Sequence, residues 1–148
     1  MGLQKVNSEM MNNTSVLFHA RPKYDGAPEV ISGSTNKVLS PWHVDINQGG
    51  AFDGSTGIFL APFDGYYRFD FHCDIQTTNG CWIEFHRNDV DTQSSIYHYD
   101  TNNWWLNVAG HKVIQLNTGD TFKLVLQVLS SSASLDGNNY GAYSGYLL

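Results

Sequence analysis

From Tyr67 to Asp74 apolar and polar residues alternate without a break. Tyr67, Phe69, Phe71 and Cys73 fall in one phase; Arg68, Asp70, His72 and Asp74 fall in the other. A period of two marks an extended chain that buries one face. Just upstream, a strand beginning near Ile58 is ended by Ala61-Pro62, and Asp64-Gly65 makes the turn. The same alternation recurs at Cys81, Ile83 and Phe85, and at Phe122, Leu124, Leu126 and Val128 set against Thr121, Lys123 and Gln127.

Punctuation between these runs sets the remaining elements. Val16 to Ala20 read as a first strand stopped by Arg21-Pro22, followed by a Gly/Pro/Ser/Asn loop over 22–36. Lys37 to Ile46 read as a strand region interrupted at Pro41, and Asn47-Gln48-Gly49-Gly50 turns the chain. Thr77-Thr78-Asn79-Gly80 predicts a hairpin and Arg87-Asn88-Asp89 another turn. Strands are predicted over Ser94 to Asp100 and His111 to Leu116, with Asn117 to Asp120 as a tight turn and 130–141 as a polar loop. Tyr143 to Leu148 close the chain as an apolar strand, which is expected to lie centrally in a sheet because an apolar edge would be a liability. About ten strands with no helix between them predict an all-β, two-sheet jelly-roll sandwich. Leu3, Val6 and Met10 form one helical stripe, so residues 1–14 are predicted as a short linker or helical lead-in and 15–148 as the domain.

Composition agrees with the pattern. The chain has 148 residues, enough for one sizeable core. Eleven Asp against three Glu, seven Ala, 14 Gly and 14% aromatics describe strands and turns, not helices. A net charge of −6 with eight Lys and Arg argues against a nucleic-acid surface. No apolar run approaches the roughly 18 residues of a membrane-spanning helix, so no membrane insertion is expected. The first residues lack the apolar centre of a secretory signal, so the chain is expected either to stay where it is made or to be part of something longer. Cys73 and Cys81 share phase with core residues and are expected as buried thiols, with a cross-strand disulfide as the alternative.

Candidate chemistry is sparse. No GxSxG elbow, HExxH, CxxC or phosphate-binding glycine loop occurs, and no enzyme is expected. Of six histidines, only His72, His86 and His98 fall on neighbouring predicted strands, and they read as solvated residues in preference to metal ligands. Asp70 and Asp74 alternate on one strand face without a facing acid. Asp89-Val90-Asp91 and Asp136-Gly137-Asn138-Asn139 offer loop oxygens that suit calcium, yet neither has the spacing of a calcium loop, so no cofactor is assigned. Aromatic and amide residues in loops carry more. In Asn102-Asn103-Trp104-Trp105 adjacent indoles face opposite ways, so one is expected in the core and the other at an interface; the alternative is a platform for sugar or protein recognition. Asn138, Asn139 and Tyr140 form a second such cluster.

The stretch from 41 to 71 resembles the signature of the globular head of complement component 1q, a jelly-roll family related to tumour necrosis factor. Asn47, Phe52, Phe59, Gly65, Tyr67, Phe69 and Phe71 match its spaced amide, aromatics and G-x-Y-x-F-x-aromatic ending; the leading Phe is replaced by Pro41, with Trp42 beside it. Val16 to Ala20 resemble the family's first strand, Leu116 to Asp120 its L-x-x-G-D turn, and Tyr143 to Leu148 its closing F-S-G-F-L-L strand. The resemblance implies a compact homotrimer and a non-enzymatic recognition head, with Tyr143, Tyr146, Leu147 and Leu148 toward the threefold axis. It also implies that Cys73 and Cys81 sit on strands of opposite sheets. Collagen repeats are absent, and Val6 to Met10 resemble segments that precede phage-fibre tips. The expectation is therefore a trimeric receptor-binding tip of a phage tail fibre or related virion protein, taking a host-surface glycan or protein through Asn102 to Trp105 and Asn138 to Tyr140. A secreted, extracellular lectin-like head and a purely structural trimerisation cap are the alternatives.

Overall fold

The computed structural model describes residues 15–23, 29–32, 36–77, 79–99, 104–129, 132–136 and 140–148. The predicted lead-in, 1–14, lies outside them. The described residues form thirteen strands and no helix: β1 (Leu17–Pro22), β2 (Glu29–Ser32), β3 (Asn36–Val38), β4 (Trp42–Gln48), β5 (Phe52–Asp53), β6 (Ile58–Leu60), β7 (Gly65–Thr77), β8 (Cys81–Arg87), β9 (Val90–His98), β10 (Trp105–Leu116), β11 (Thr121–Val128), β12 (Ser132–Leu135) and β13 (Gly141–Leu147).

Two antiparallel sheets face each other. The seven-stranded sheet runs β2-β12-β7-β13-β1-β4, with β10 along the other edge of β7; the six-stranded sheet runs β5-β6-β11-β8-β9, with β3 also on β11. The closing strand β13 lies between β7 and β1, as its apolar sequence requires. One expectation is overturned here. Thr77 to Gly80 do not close a hairpin, because β10 occupies one edge of β7 and β12 and β13 the other. With both edges taken, β8 crosses over and pairs with β9 and β11. Residues 22–36 and 130–141, expected as loops, hold β2 and β12. Trp105, Leu106 and His111 to Leu116 belong to one strand, β10, held in twelve consecutive pairings with β7.

Aromatic rings weld the sheets together. Phe18 of β1 stacks on Phe52 of β5 at 4.1 Å between centroids, and Phe69 of β7 stacks on Phe122 of β11 at 3.9 Å. Phe59, Tyr67, Phe69 and Phe71 are all buried. The other matched positions have equally local reasons. The Asn47 side chain donates to the Phe52 carbonyl and accepts from its N–H, closing the turn between them. Gly65 leaves room for Leu147, whose Cδ1 lies 2.6 Å from where a Cβ would be. In the L-x-x-G-D turn, Asp120 accepts from Asn88, Arg87 and the Asn117 N–H. These bonds, the Asn88 one foremost, hold its carboxyl below the usual range. Their support is therefore present above the ordinary carboxylate pKa and is lost as pH falls.

Trp42 is the tryptophan of the core. It packs against Phe71 and Tyr143, and its indole N–H donates to the Leu39 carbonyl. The aromatic missing at position 41 thus arrives one residue later. Cys73 on β7 and Cys81 on β8 lie in opposite sheets, unbonded and buried. Burial pushes their thiols up to about 12 and about 11, which makes both poor nucleophiles.

Tyr143 is turned into the sandwich, fully buried, among Phe18, Trp42, Phe52 and Phe69. This corrects its expected place on a trimer face: the period of two puts Tyr146 outward and Tyr143 inward. Among the described residues its hydroxyl has no hydrogen-bond partner, and burial raises its pKa well above the ordinary value. A buried polar group left unpaired costs about 1–3 kcal/mol. Tyr143→Phe is accordingly expected to stabilise the fold by ~1 kcal/mol or more, seen as a higher urea midpoint at unchanged m-value.

Candidate recognition surfaces

The chain enters β1 and leaves β13 at one end of the sandwich, where Leu17 pairs with Tyr146. Two predicted site residues lie at the opposite end. Trp105 pairs with Gln76 of β7, and the Tyr140 carbonyl accepts from the Asp74 N–H on that strand's other edge. Pairing therefore places Trp105 and Tyr140 on either side of β7, about two strand spacings or ~10 Å apart. Between them Asn107 Nδ2 donates to Asp74 Oδ1 at 2.8 Å. Asn102, Asn103, Asn138 and Asn139 lie outside the described residues. Neither Trp104 nor Trp105 is in the core, contrary to expectation; they are 69% and 38% exposed. Trp104 precedes the strand, and Trp105 shares the outward phase of Gln76.

The outward face of the seven-stranded sheet is ordered in cross-strand rows. Nearest the termini, Val113, Arg68, Tyr146, Leu17 and Gln48 form one row, and His111, Asp70, Ser144, His19 and Ile46 the next. Ala109, His72 and Ala142 follow. Val113 and Ile46 are 47% and 46% exposed, and Tyr66 and Leu148 flank them as further exposed apolar residues. Leu147, by contrast, packs against the core. An open cleft of about 490 Å³ lies over the middle rows, lined by Asp70, His72, Asn107 and His111 among others. Arg68 holds Asp70 through two nitrogens, at 2.8 and 3.0 Å.

His72, His86 and His98 do not converge. His72 is on the seven-stranded sheet, the other two on the six-stranded one, where His86 pairs with Glu84 at 2.8 Å. The crossover after β7 separates strands that the sequence places side by side. No group of three or more possible metal ligands occurs among the described residues. Asp89 is engaged by Lys123 at 2.5 Å, and Asp91 accepts from the Gln93 N–H.

Sequence reasoning missed one cluster. On the outward face of the six-stranded sheet Trp82 pairs with Tyr97, their rings 5.5 Å apart, and Tyr99 stacks on Tyr97 at 6.4 Å. The signal was available: Trp82 and Tyr97 occupy the outward phase of their strands, where an aromatic is unexpected, and Tyr99 continues that phase past the end of β9.

Known structures share this architecture. The globular domain of zebrafish complement 1qA superimposes with a TM-score of 0.68 at 15% identity, covering 90% of this chain and 97% of that one. The Eiger TNF of S. frugiperda gives 0.70 at 11%, covering 92% and 94%. Murine APRIL gives 0.64 at 13%, covering 90% and 98%. The sequence itself matches the C1q domain over residues 26–148, and with this fold behind it the chain belongs to the C1q domain family.

Proposed function

We propose that this chain is a non-enzymatic recognition head that works as a homotrimer, and that it forms the receptor-binding tip of a phage tail fibre or related virion protein. The observation that carries the assembly is the outward face of the seven-stranded sheet. There the apolar closing strand β13 sits at the centre, with Tyr146 outward and Val113, Ile46 and Tyr66 exposed around it. A face that joins exposed apolar side chains, small residues at its centre and paired polar groups such as Arg68 and Asp70 has the mixed composition that a subunit interface buries. Trp105 and Tyr140, at the end of the sandwich away from Leu17 and Tyr146, are placed to meet a host-surface glycan or protein. The resemblance of Val6 to Met10 to segments preceding fibre tips supports the virion assignment.

Light scattering is expected to give a particle of three times the 16.6 kDa chain mass; a monomer would remove the assembly. Labelled protein is expected to bind host cells, and Trp105→Ala or Tyr140→Ala to weaken binding roughly tenfold or more, as loss of an aromatic anchor does. Undiminished binding by both variants would remove that site. Glycan-specific binding without host-cell binding would favour a secreted lectin-like head, and silence in both assays a structural cap.

A further inference from the structure

We propose that the outward face of the six-stranded sheet carries a second ligand site, a stacking platform for a neutral glycan, formed by Trp82, Tyr97 and Tyr99. One cross-strand row runs Asn36, Gln127, Trp82, Tyr97 over β3, β11, β8 and β9. It sets two carboxamides, an indole and a phenol side by side, and Tyr99 extends the aromatic run beyond the ladder. The rings follow one another at 5.5 and 6.4 Å, the last two within 20° of parallel. Tyr97 and Tyr99 are 53% and 58% exposed.

Cross-strand pairing accounts for Trp82 against Tyr97, since aromatic pairs stabilise a ladder. It does not account for Tyr99, which lies past the end of β9, has no ladder partner among the described residues, and still continues the stack. The neighbouring polar groups choose the occupant. Among the described residues no hydrogen bond engages the side chains of Asn36 or Gln127 or the indole N–H of Trp82, which leaves neutral donors and acceptors beside the rings. The nearest acid in the next row, Glu84, is already held by His86. Among the described residues these rows carry no unpaired charge to attract a polyanion or a charged peptide. A pyranose with equatorial hydroxyls fits it: axial C–H groups lie flat on an aromatic face while the ring's edge meets amides. The site is separate from Trp105 and Tyr140, which belong to the other sheet.

The test is a titration of the whole protein with cellohexaose and chitohexaose, followed by saturation-transfer NMR and tryptophan fluorescence, with a sulfated polysaccharide as the charged comparison. Binding in the millimolar range is expected for one or both neutral hexasaccharides and none for the polyanion. Tyr99→Ala, outside the ladder and so without effect on folding, is expected to weaken binding about tenfold, Trp82→Ala to abolish it, and Trp105→Ala to leave it unchanged. No saturable binding of either hexasaccharide, or binding untouched by Tyr99→Ala and Trp82→Ala, would overturn the platform. Hexasaccharide binding does not depend on host cells or on Trp105, so this site and the recognition reading fail separately.

Discussion

Gly145→Ala is expected to cost ~3 kcal/mol or more, and Gly145→Val to prevent folding. A Cβ at this position would lie 2.5 Å from both Phe18 Cε1 and Phe69 Cδ1, and 2.7 Å from Phe69 Cε1. Neither ring can retreat. Phe18 is stacked on Phe52 and Phe69 on Phe122, so each is pinned against the opposite sheet. Overpacking a filled core usually costs about 1–3 kcal/mol. Here the added atom meets two clamped rings at once, and relief requires β13 to lift from the centre of its sheet. Against a total stability of about 5–15 kcal/mol that is a large fraction. Chemical denaturation of Gly145→Ala beside Ser144→Ala measures it. The Ser144 change is outward and next in sequence, and is expected to stay within ~0.5 kcal/mol. Equal midpoints for the two variants would show that the rings yield.

This prediction marks where the sequence stops being readable. Alternation fixed which face of β7, β8 and β11 is buried, because a period of two needs only the neighbours along one strand. The closing strand's place in mid-sheet followed from its apolarity. Which strand pairs with which did not follow. A turn such as Thr77 to Gly80 looks the same whether the chain folds back or crosses to the other sheet, and only the filled edges of β7 decide between them. Short strands were invisible for a related reason: β12 offers only Ala133 and Leu135 as its buried alternation, too little to stand out among serines. The need for glycine at 145 is likewise tertiary, since it depends on rings 127 and 76 residues away.

The candidate surfaces show the same division. The aromatic and amide clusters near Trp105 and Tyr140 were legible as composition, and the register with β7 brought them to one end. Their facing was not legible, since two adjacent tryptophans alternate only if both are in the ladder, and Trp104 is not. The Trp82, Tyr97 and Tyr99 run was hidden because its members are scattered over β8, β9 and the residue beyond, and become a cluster only through pairing.

The assembly gives the other large effect. Tyr146→Glu and Val113→Glu are each expected to turn the proposed trimer into monomers at micromolar concentration while leaving the sandwich folded. Both side chains point outward from the seven-stranded sheet, in the row Val113, Arg68, Tyr146, Leu17, so the change adds no atom to the core. A carboxylate taken into an interface without a partner costs several kcal/mol. Arg68 cannot serve as that partner, because its guanidinium is already committed to Asp70. Threefold symmetry repeats the cost at every subunit, and each 1.4 kcal/mol weakens association tenfold. Val90→Glu is the control: this residue is 68% exposed on the six-stranded sheet, where no subunit contact is proposed, and its variant is expected to keep the parent mass. Sedimentation reads the mass, and far-ultraviolet circular dichroism confirms the fold. If both seven-stranded-sheet variants stay trimeric, subunits meet elsewhere, and the exposed apolar side chains around β13 need a different occupant.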